Sequence, residues 1–212
     1  ATDHWWRGKI DDVRIYNRAL TAAEVRYAYN RGGPVGYWKF DEGSGTTTYD
    51  GSGNSNTGTL YGGMGTSTAE TSGWKSGKYG SALSFDGVDD YVSMGTNSIL
   101  TSSKGTIGLW IKTNLTAGED QGFFILRETQ TTDYLAFALR NNKPRLFIED
   151  GDVEYNVDVT SVDTLFNNSN WHYFVATQDG TGVKMYFDGV QIAITGTNSA
   201  YWSSHLSLNA SY

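Results

Sequence analysis

The sequence predicts an all-β protein, a two-sheet antiparallel β-sandwich with one short helix. Three observations point there. Aromatic residues are plentiful, with 14 Tyr, 9 Phe and 7 Trp in 212 residues, and such side chains suit half-buried pleated surfaces. Glycine is abundant (26) and proline scarce (2), while Gly/Asn/Asp/Ser clusters punctuate the chain as tight turns do. Between them lie roughly a dozen short segments with turn signals about every 8–12 residues, the spacing of a sandwich or jelly roll. A chain this long buries a core without staples. It has no cysteine, so neither a disulfide framework nor thiolate chemistry enters.

The elements follow in order. Residues 9–17 (KIDDVRIYN) alternate as a strand, with Val13 and Ile15 on one face that also carries Asp11 and Asn17. A short helix follows: Thr21 caps it, Glu24 three residues later closes a capping box, and Leu20 and Val25 form a hydrophobic staple. Asn30-Arg31-Gly32-Gly33 ends it. Residues 35–45 read as a strand running into a turn, with Trp38 and Phe40 on its apolar face, and 49–63 read as a Gly/Asn loop. Residues 82–94 read as strand, bend, strand, and 105–113 and 122–128 as single strands. Residues 134–159 contain hairpin turns at NNKP and EDGD, and 171–194 contain two more, at QDGTG and FDG. Residues 205–212 form a last strand, and no internal repeat is visible.

The formal net charge of −7, with no Lys/Arg cluster, argues against nucleic acid as a partner. No apolar run is long enough to insert into a membrane, and no signal peptide is present, so an export signal is expected outside this segment. The many Asp and Asn residues leave room for a hard cation.

Several phrases together resemble the laminin-G-like jelly-roll family of the concanavalin A-like lectin/glucanase group: GYWKFDEGSGTTTYDGSGNSNTGTL (36–60), GKYGSALSFDGVDDYV (77–92), GTIGLWIKT (105–113), NWHYFVATQDGTGVKMYFDGV (170–190), LSLNASY (206–212) and GKIDDVRIYNRALTAAEV (8–25). The resemblance covers most of the chain and implies a single sandwich over 1–212. Its order departs from the family, because the phrase at 8–25 normally comes last. Joining Tyr212 to Ala1 restores the family order. The chain therefore reads as circularly permuted or as cut from a tandem array, with 1–32 as the closing strand and helix and 33–212 as the remainder. Closure within one chain is the favoured reading, and a domain swap is the other way to satisfy the closing strand.

Two acidic stretches are candidates for metal chemistry. In the loop DGSGNSNTG (50–58), Asp50, Ser52, Asn54 and Asn56 place side-chain oxygens at alternate positions, and calcium takes six to eight such ligands. The loop is not an EF-hand, since Ser55 and Tyr61 stand where that motif needs Gly and Glu. Asx-turns and a hydrogen-bond network around a buried Asp are the alternative reading of the same residues. The family resemblance implies a structural Ca2+ held by Asp50, Asn54, Asn56 and Asp11, with Glu42 or Asp12 adding to the set. The second stretch, FDGVDDYV, holds Asp86, Asp89 and Asp90 and reads first as a tight turn.

Catalysis finds little support. Retaining glycosidases need two carboxyl groups about 5–5.5 Å apart. The nearest pattern, Asp150, Asp152 and Glu154, has period-two spacing, but it spans an Asp-Gly hairpin tip and lacks the Glu-first order of related glucanases. His4, His172 and His205 stand in no metal-spaced or triad pattern, and His172 reads as a local hydrogen-bonding residue. Binding is better supported, because sugar rings stack on exposed aromatics. Trp5, Tyr201 and Trp202 flank the junction of the chain ends and are expected to contact a ligand. Trp6, Trp38, Trp110 and Trp171 match framework positions and are expected in the core; Trp74 is left open, and Arg127, Arg140 and Arg145 read as a solvated face. The expectation is a non-catalytic, calcium-stabilised carbohydrate-binding or adhesion module of a larger secreted or cell-surface bacterial protein. Its partners would be a glycan or cell-surface ligand and neighbouring repeats of the same protein. The alternatives are a structural spacer in a repetitive adhesin and, more distantly, a glycoside hydrolase.

Overall fold

The computed structural model describes residues 16, 18–20, 33–69, 72–94, 104–113, 120–127, 134–141, 143–150, 153–160, 169–179 and 182–196. The chain divides into two compact units, Ala1–Val35 and Gly36–Tyr212. In the first, Tyr16 is 46% exposed and Leu20 half-buried. The strand expected at 9–17 falls almost wholly outside the described residues, and so do the helix after Thr21 and the strand at 205–212. Among the described residues there is no helix.

The second unit is all-β, with every named strand pair antiparallel. Its strands are β1 (Thr47–Thr48), β2 (Gly58–Tyr61), β3 (Gly73–Ser76), β4 (Ser81–Ser84), β5 (Tyr91–Ser93), β6 (Gly105–Ile111), β7 (Asp120–Arg127), β8 (Tyr134–Arg140), β9 (Lys143–Asp150), β10 (Val153–Val159), β11 (His172–Gln178), β12 (Val183–Phe187), β13 (Val190–Ile192) and β14 (Ile194–Gly196). They form a five-stranded sheet, β14-β10-β9-β8-β7, a four-stranded sheet, β13-β12-β11-β6, a three-stranded sheet, β1-β2-β5, and the hairpin β3-β4.

The two larger sheets pack face to face as a jelly-roll sandwich. One contributes Leu135, Phe137, Leu146, Ile148 and Val157 to the core, the other Phe174, Ala176, Val183 and Met185, all less than 2% exposed. Period-two alternation does this: every second residue of β11 is buried, so Phe174 and Ala176 turn inward while Tyr173 turns out. Phe174 meets Phe123 edge-on at 5.2 Å and Phe137 at 6.2 Å, which joins the layers. Burying each such side chain contributes about 1.5–3 kcal/mol. Ala193 alone separates β13 from β14, so the chain changes sheets there; its carbonyl accepts bonds from the amide (3.1 Å) and hydroxyl (3.3 Å) of Thr160.

Three turn readings gain detail. In the NNKP turn Arg140 pairs with Lys143, and Pro144 already lies in β9. Asp188 (φ 47°) and Gly189 (φ 83°) join β12 to β13 with the two positive φ values of a type I′ hairpin. Asp150 pairs with Val153, so the EDGD stretch joins β9 to β10.

Other expectations are corrected. Residues 35–45 are not a strand: Trp38 makes one isolated bridge to Asp50, and Phe40 takes φ 57°, which breaks alternation. The expected loop 49–63 contains β2, because Gly58–Tyr61 pairs on both sides. Trp74 lies on β3, with its indole N–H donating to the Gly45 carbonyl at 2.9 Å. Trp38, Trp110 and Trp171 are half-buried and absent from the buried core. Trp110 sits on the outer side of β6, beside Tyr173 (5.2 Å) and edge-on to Tyr79 (5.9 Å), with the Lys78 ammonium 4.9 Å from its ring. Arg145 is only 5% exposed rather than solvated: it bonds Asn156, lies 3.5 Å from Asp158 and stacks on Phe147.

Candidate functional site

The loop between β1 and β2 winds around the Asp50 carboxylate. Oδ1 accepts the backbone amides of Tyr37 (2.9 Å) and Ser52 (2.8 Å). Oδ2 accepts the Ser52 hydroxyl (2.7 Å), the Asn56 amide (3.0 Å) and the Asn56 side-chain amide (2.9 Å). Alternation of small polar residues makes this possible, since Ser52 and Asn56 both turn inward, each 7% exposed. Gly53 (φ 84°) and Ser55 (φ 62°) bend the chain between them. Asn54 donates to the Ser52 oxygen through its backbone (3.3 Å) and its side chain (3.2 Å). The Asn56 carbonyl accepts the Trp38 indole at 2.7 Å, and the Gly51 amide bonds the Tyr37 carbonyl at 2.7 Å. Burial alone would raise the Asp50 carboxyl, but the bonds from Ser52, Tyr37 and Asn56 hold it below its ordinary value.

Glu42 anchors the other side of β1, where it accepts the Tyr49 amide at 2.7 Å and the Thr48 hydroxyl at 3.2 Å. Glu42 and Asp50 line one open surface depression with Lys39, Asp41 and Tyr49. Glu42, Asp50, Asn54 and Asn56, all expected around calcium, thus fall in one neighbourhood; Asp11 and Asp12 lie outside the described residues. The groups touching the Asp50 carboxylate are N–H and O–H donors. A cation there needs Ser52 and Asn56 to present oxygens instead, and the residues fit one only after that rearrangement.

The second acidic stretch is a capped turn between β4 and β5. Asp86 accepts the Val88 amide (2.8 Å), and Asp90 accepts the Asp86 amide (3.0 Å) through Oδ2. Oxygens of Asp86, Asp89 and Asp90 all lie within 4.8 Å of one another.

The acid series near 150 does not form one face of one strand. Asp150 ends β9 and Glu154 lies in β10, where it stands opposite Glu149. His172 has the local role expected of it: its Nδ1 lies 2.9 Å from Asp188 Oδ2, while Asp188 Oδ1 accepts the Tyr173 amide at 2.8 Å. Burial pushes the Asp188 carboxyl up, and His172, the Tyr173 amide and the Lys78 charge bring it below its usual value.

Trp5, Tyr201 and Trp202 lie outside the described residues. The described surface carries other aromatics that sequence reading passed over: Tyr49 (66% exposed), Tyr61 (44%), Tyr79 (70%) and Tyr91 (44%). Tyr61 was hidden because Gly-rich flanks made its strand look like a loop; the alternation Gly58-Thr59-Leu60-Tyr61 was the available signal.

Comparison with known proteins agrees with this architecture. No curated protein matches the chain. The solved structures similar to it include domain 4 of AbnA, a GH43 extracellular arabinanase from Geobacillus stearothermophilus, in complex with arabinotriose. That match has a TM-score of 0.59 at 20% identity and covers 84% of this chain and 80% of that one. Mouse laminin α1 domains LG4-5 match at TM-score 0.35 and 14% identity, over 45% of this chain and 25% of that one. The LG1-3 region of the laminin α2 chain matches at 0.42 and 18%, over 55% and 23%. A model of the laminin-G family described as the concanavalin A-like lectin/glucanases superfamily matches residues 86–211, more than half of the chain, and the chain belongs to that family.

Proposed function

We propose that the chain is a non-catalytic glycan-binding or adhesion module of a larger secreted or cell-surface bacterial protein, stabilised by calcium. One observation carries the reading: several tyrosines stand exposed at the surface, among them Tyr49, Tyr61, Tyr79 and Tyr91. Aromatic faces bury sugar C–H groups while nearby hydroxyls and amides bond the sugar oxygens. The complex of the similar arabinanase domain with arabinotriose supports an oligosaccharide as the kind of ligand. The extracellular setting of that arabinanase supports secretion. A hydrolase is less well supported, because the acid series near 150 is split between β9 and β10 across a hairpin instead of lining one strand face.

Trp5, Tyr201 and Trp202 remain proposed ligand contacts. The proposed Ca2+ ligands are Glu42, Asp50, Asn54 and Asn56, together with Asp11 and Asp12. Thermal melting in millimolar calcium and in chelator tests the ion: calcium should raise Tm, and equal melting in both would remove it from the reading. A glycan array tests the function. Binding to a defined glycan set supports a module, and a blank array supports a spacer.

A further inference from the structure

The three-stranded sheet has one face turned to solvent, and that face is built from hydroxyls and aromatic rings. Along β2, Gly58 and Leu60 are buried while Thr59 and Tyr61 are exposed. Thr48, fully buried, points the same way as Leu60, which leaves Thr47 and Tyr49 on the outer side with Thr59. Register then fixes the array. Thr47 stands opposite Thr59, Thr59 opposite Ser93, and Tyr61 opposite Tyr91. The Tyr61 and Tyr91 rings stack at 4.7 Å, 6° from parallel.

A row of three hydroxyls therefore lies between a tyrosine pair at one end and Tyr49 at the other. Tyr61 is two residues beyond Thr59 and Tyr49 two residues beyond Thr47, in opposite directions, so the aromatic ends stand about 13 Å apart at strand rise. None of these six side chains is charged. Phosphate-bearing ligands need lysine or arginine, and Lys39, in the depression that Tyr49 lines, stands there among Asp41, Glu42 and Asp50. Protein partners favour Trp, Tyr and Arg anchors clustered in a desolvated centre where Ser and Thr are scarce, whereas here the centre is a hydroxyl row and the rings stand at its two ends.

We propose that this face binds an uncharged, extended oligosaccharide. Its rings stack on Tyr61–Tyr91 at one end and on Tyr49 at the other, and Thr47, Thr59 and Ser93 bond the hydroxyls between. The proposal rests on the glycan-binding reading above and places the contact on residues other than Trp5, Tyr201 and Trp202.

The test is calorimetric titration of the full chain with arabinotriose, xylotetraose, cellotetraose and, as a charged control, trigalacturonate. One neutral probe should bind. Tyr61→Ala or Tyr91→Ala should weaken it about tenfold or more, while Tyr61→Phe, which keeps the ring, should stay within a few-fold. Tyr49→Ala should weaken the longest bound probe but leave a disaccharide of the same sugar unaffected. Removing one ring of a cross-strand pair also destabilises the sheet, so each variant is titrated below its measured Tm, and Tyr61→Phe keeps the test valid if Tyr61→Ala unfolds. Neutral binding unchanged in Tyr61→Ala and Tyr49→Ala overturns the site while leaving the function standing. Binding of trigalacturonate alone overturns the uncharged ligand. A wild-type chain that binds no probe, with a blank array, overturns both.

Discussion

Replacing Asp50 with alanine should destabilise the fold by about 3 kcal/mol at neutral pH. The carboxylate accepts five hydrogen bonds, from three backbone amides, one hydroxyl and one side-chain amide. Each bond to a charged acceptor contributes about 1.5–3 kcal/mol in isolation, but five on one group do not add. Location decides which losses matter. Tyr37 is 48% exposed, so water replaces its lost partner at little cost. Ser52 and Asn56 are each 7% exposed, and their donors are left unpaired unless the loop opens. Stranding those donors costs about 1–3 kcal/mol per group, and loop opening caps the total near 3. Asp50→Asn keeps the shape but turns an NH2 toward donors, so it should cost about 2 kcal/mol. Asn54→Ala, at the loop's half-exposed flank, should cost under about 1 kcal/mol. Urea unfolding in chelator, followed by far-ultraviolet circular dichroism, measures all three without metal. If Asp50→Ala lies within 0.5 kcal/mol of wild type, on the scale of an ordinary surface substitution, the loop is not organised by this carboxylate.

Further expectations come from other parts of the fold. Asp50 and Asp188 both titrate below their ordinary value in the folded chain. The ionised forms therefore favour the fold, their contribution is complete above the unfolded carboxyl value of about 3.9, and it is lost as pH falls through the lower folded values. Thermal melts from pH 7 to 2 should show an acid limb that flattens in Asp50→Asn with Asp188→Asn; an unchanged limb would contradict the assignment. Gly58→Ala should cost about 1–3 kcal/mol, because its Cβ would land 2.7 Å from Thr48 Cγ2 and 2.9 Å from Val92 Cγ1 inside the three-stranded sheet. A neutral Gly58→Ala melt would mean that this layer repacks freely.

Much of the sandwich was legible from local pattern. The β8–β9–β10 meander shows as alternating apolar runs broken by Asn-Asn and Asp-Gly, and Asp188-Gly189 marks the turn after β12 in the same way. Side-chain periodicity and turn chemistry are properties of a few consecutive residues, so a single sequence carries them. The Asp50 loop was legible as a cluster of oxygens. Its wiring was not, because the direction in which Ser52 and Asn56 turn depends on where Tyr37 and Trp38 arrive from outside the loop.

What the sequence determined by itself was the all-β class, most strand and turn positions in 82–196, the family, and the residues that gather near Asp50. Tertiary structure alone decided which face each strand shows. Trp110 turned outward beside Tyr173, Arg145 went under cover between Asn156 and Phe147, and Gly58–Tyr61 became a strand rather than a loop, lifting Tyr61 against Tyr91. For Trp110 and Tyr61 the outcome depends on pairing with β11 and β5, strands remote in sequence, and for Arg145 on the register of the β9–β10 hairpin; a shift of one residue in register exchanges every inward side chain for an outward one. That choice is made by the partner strand, which local pattern does not contain.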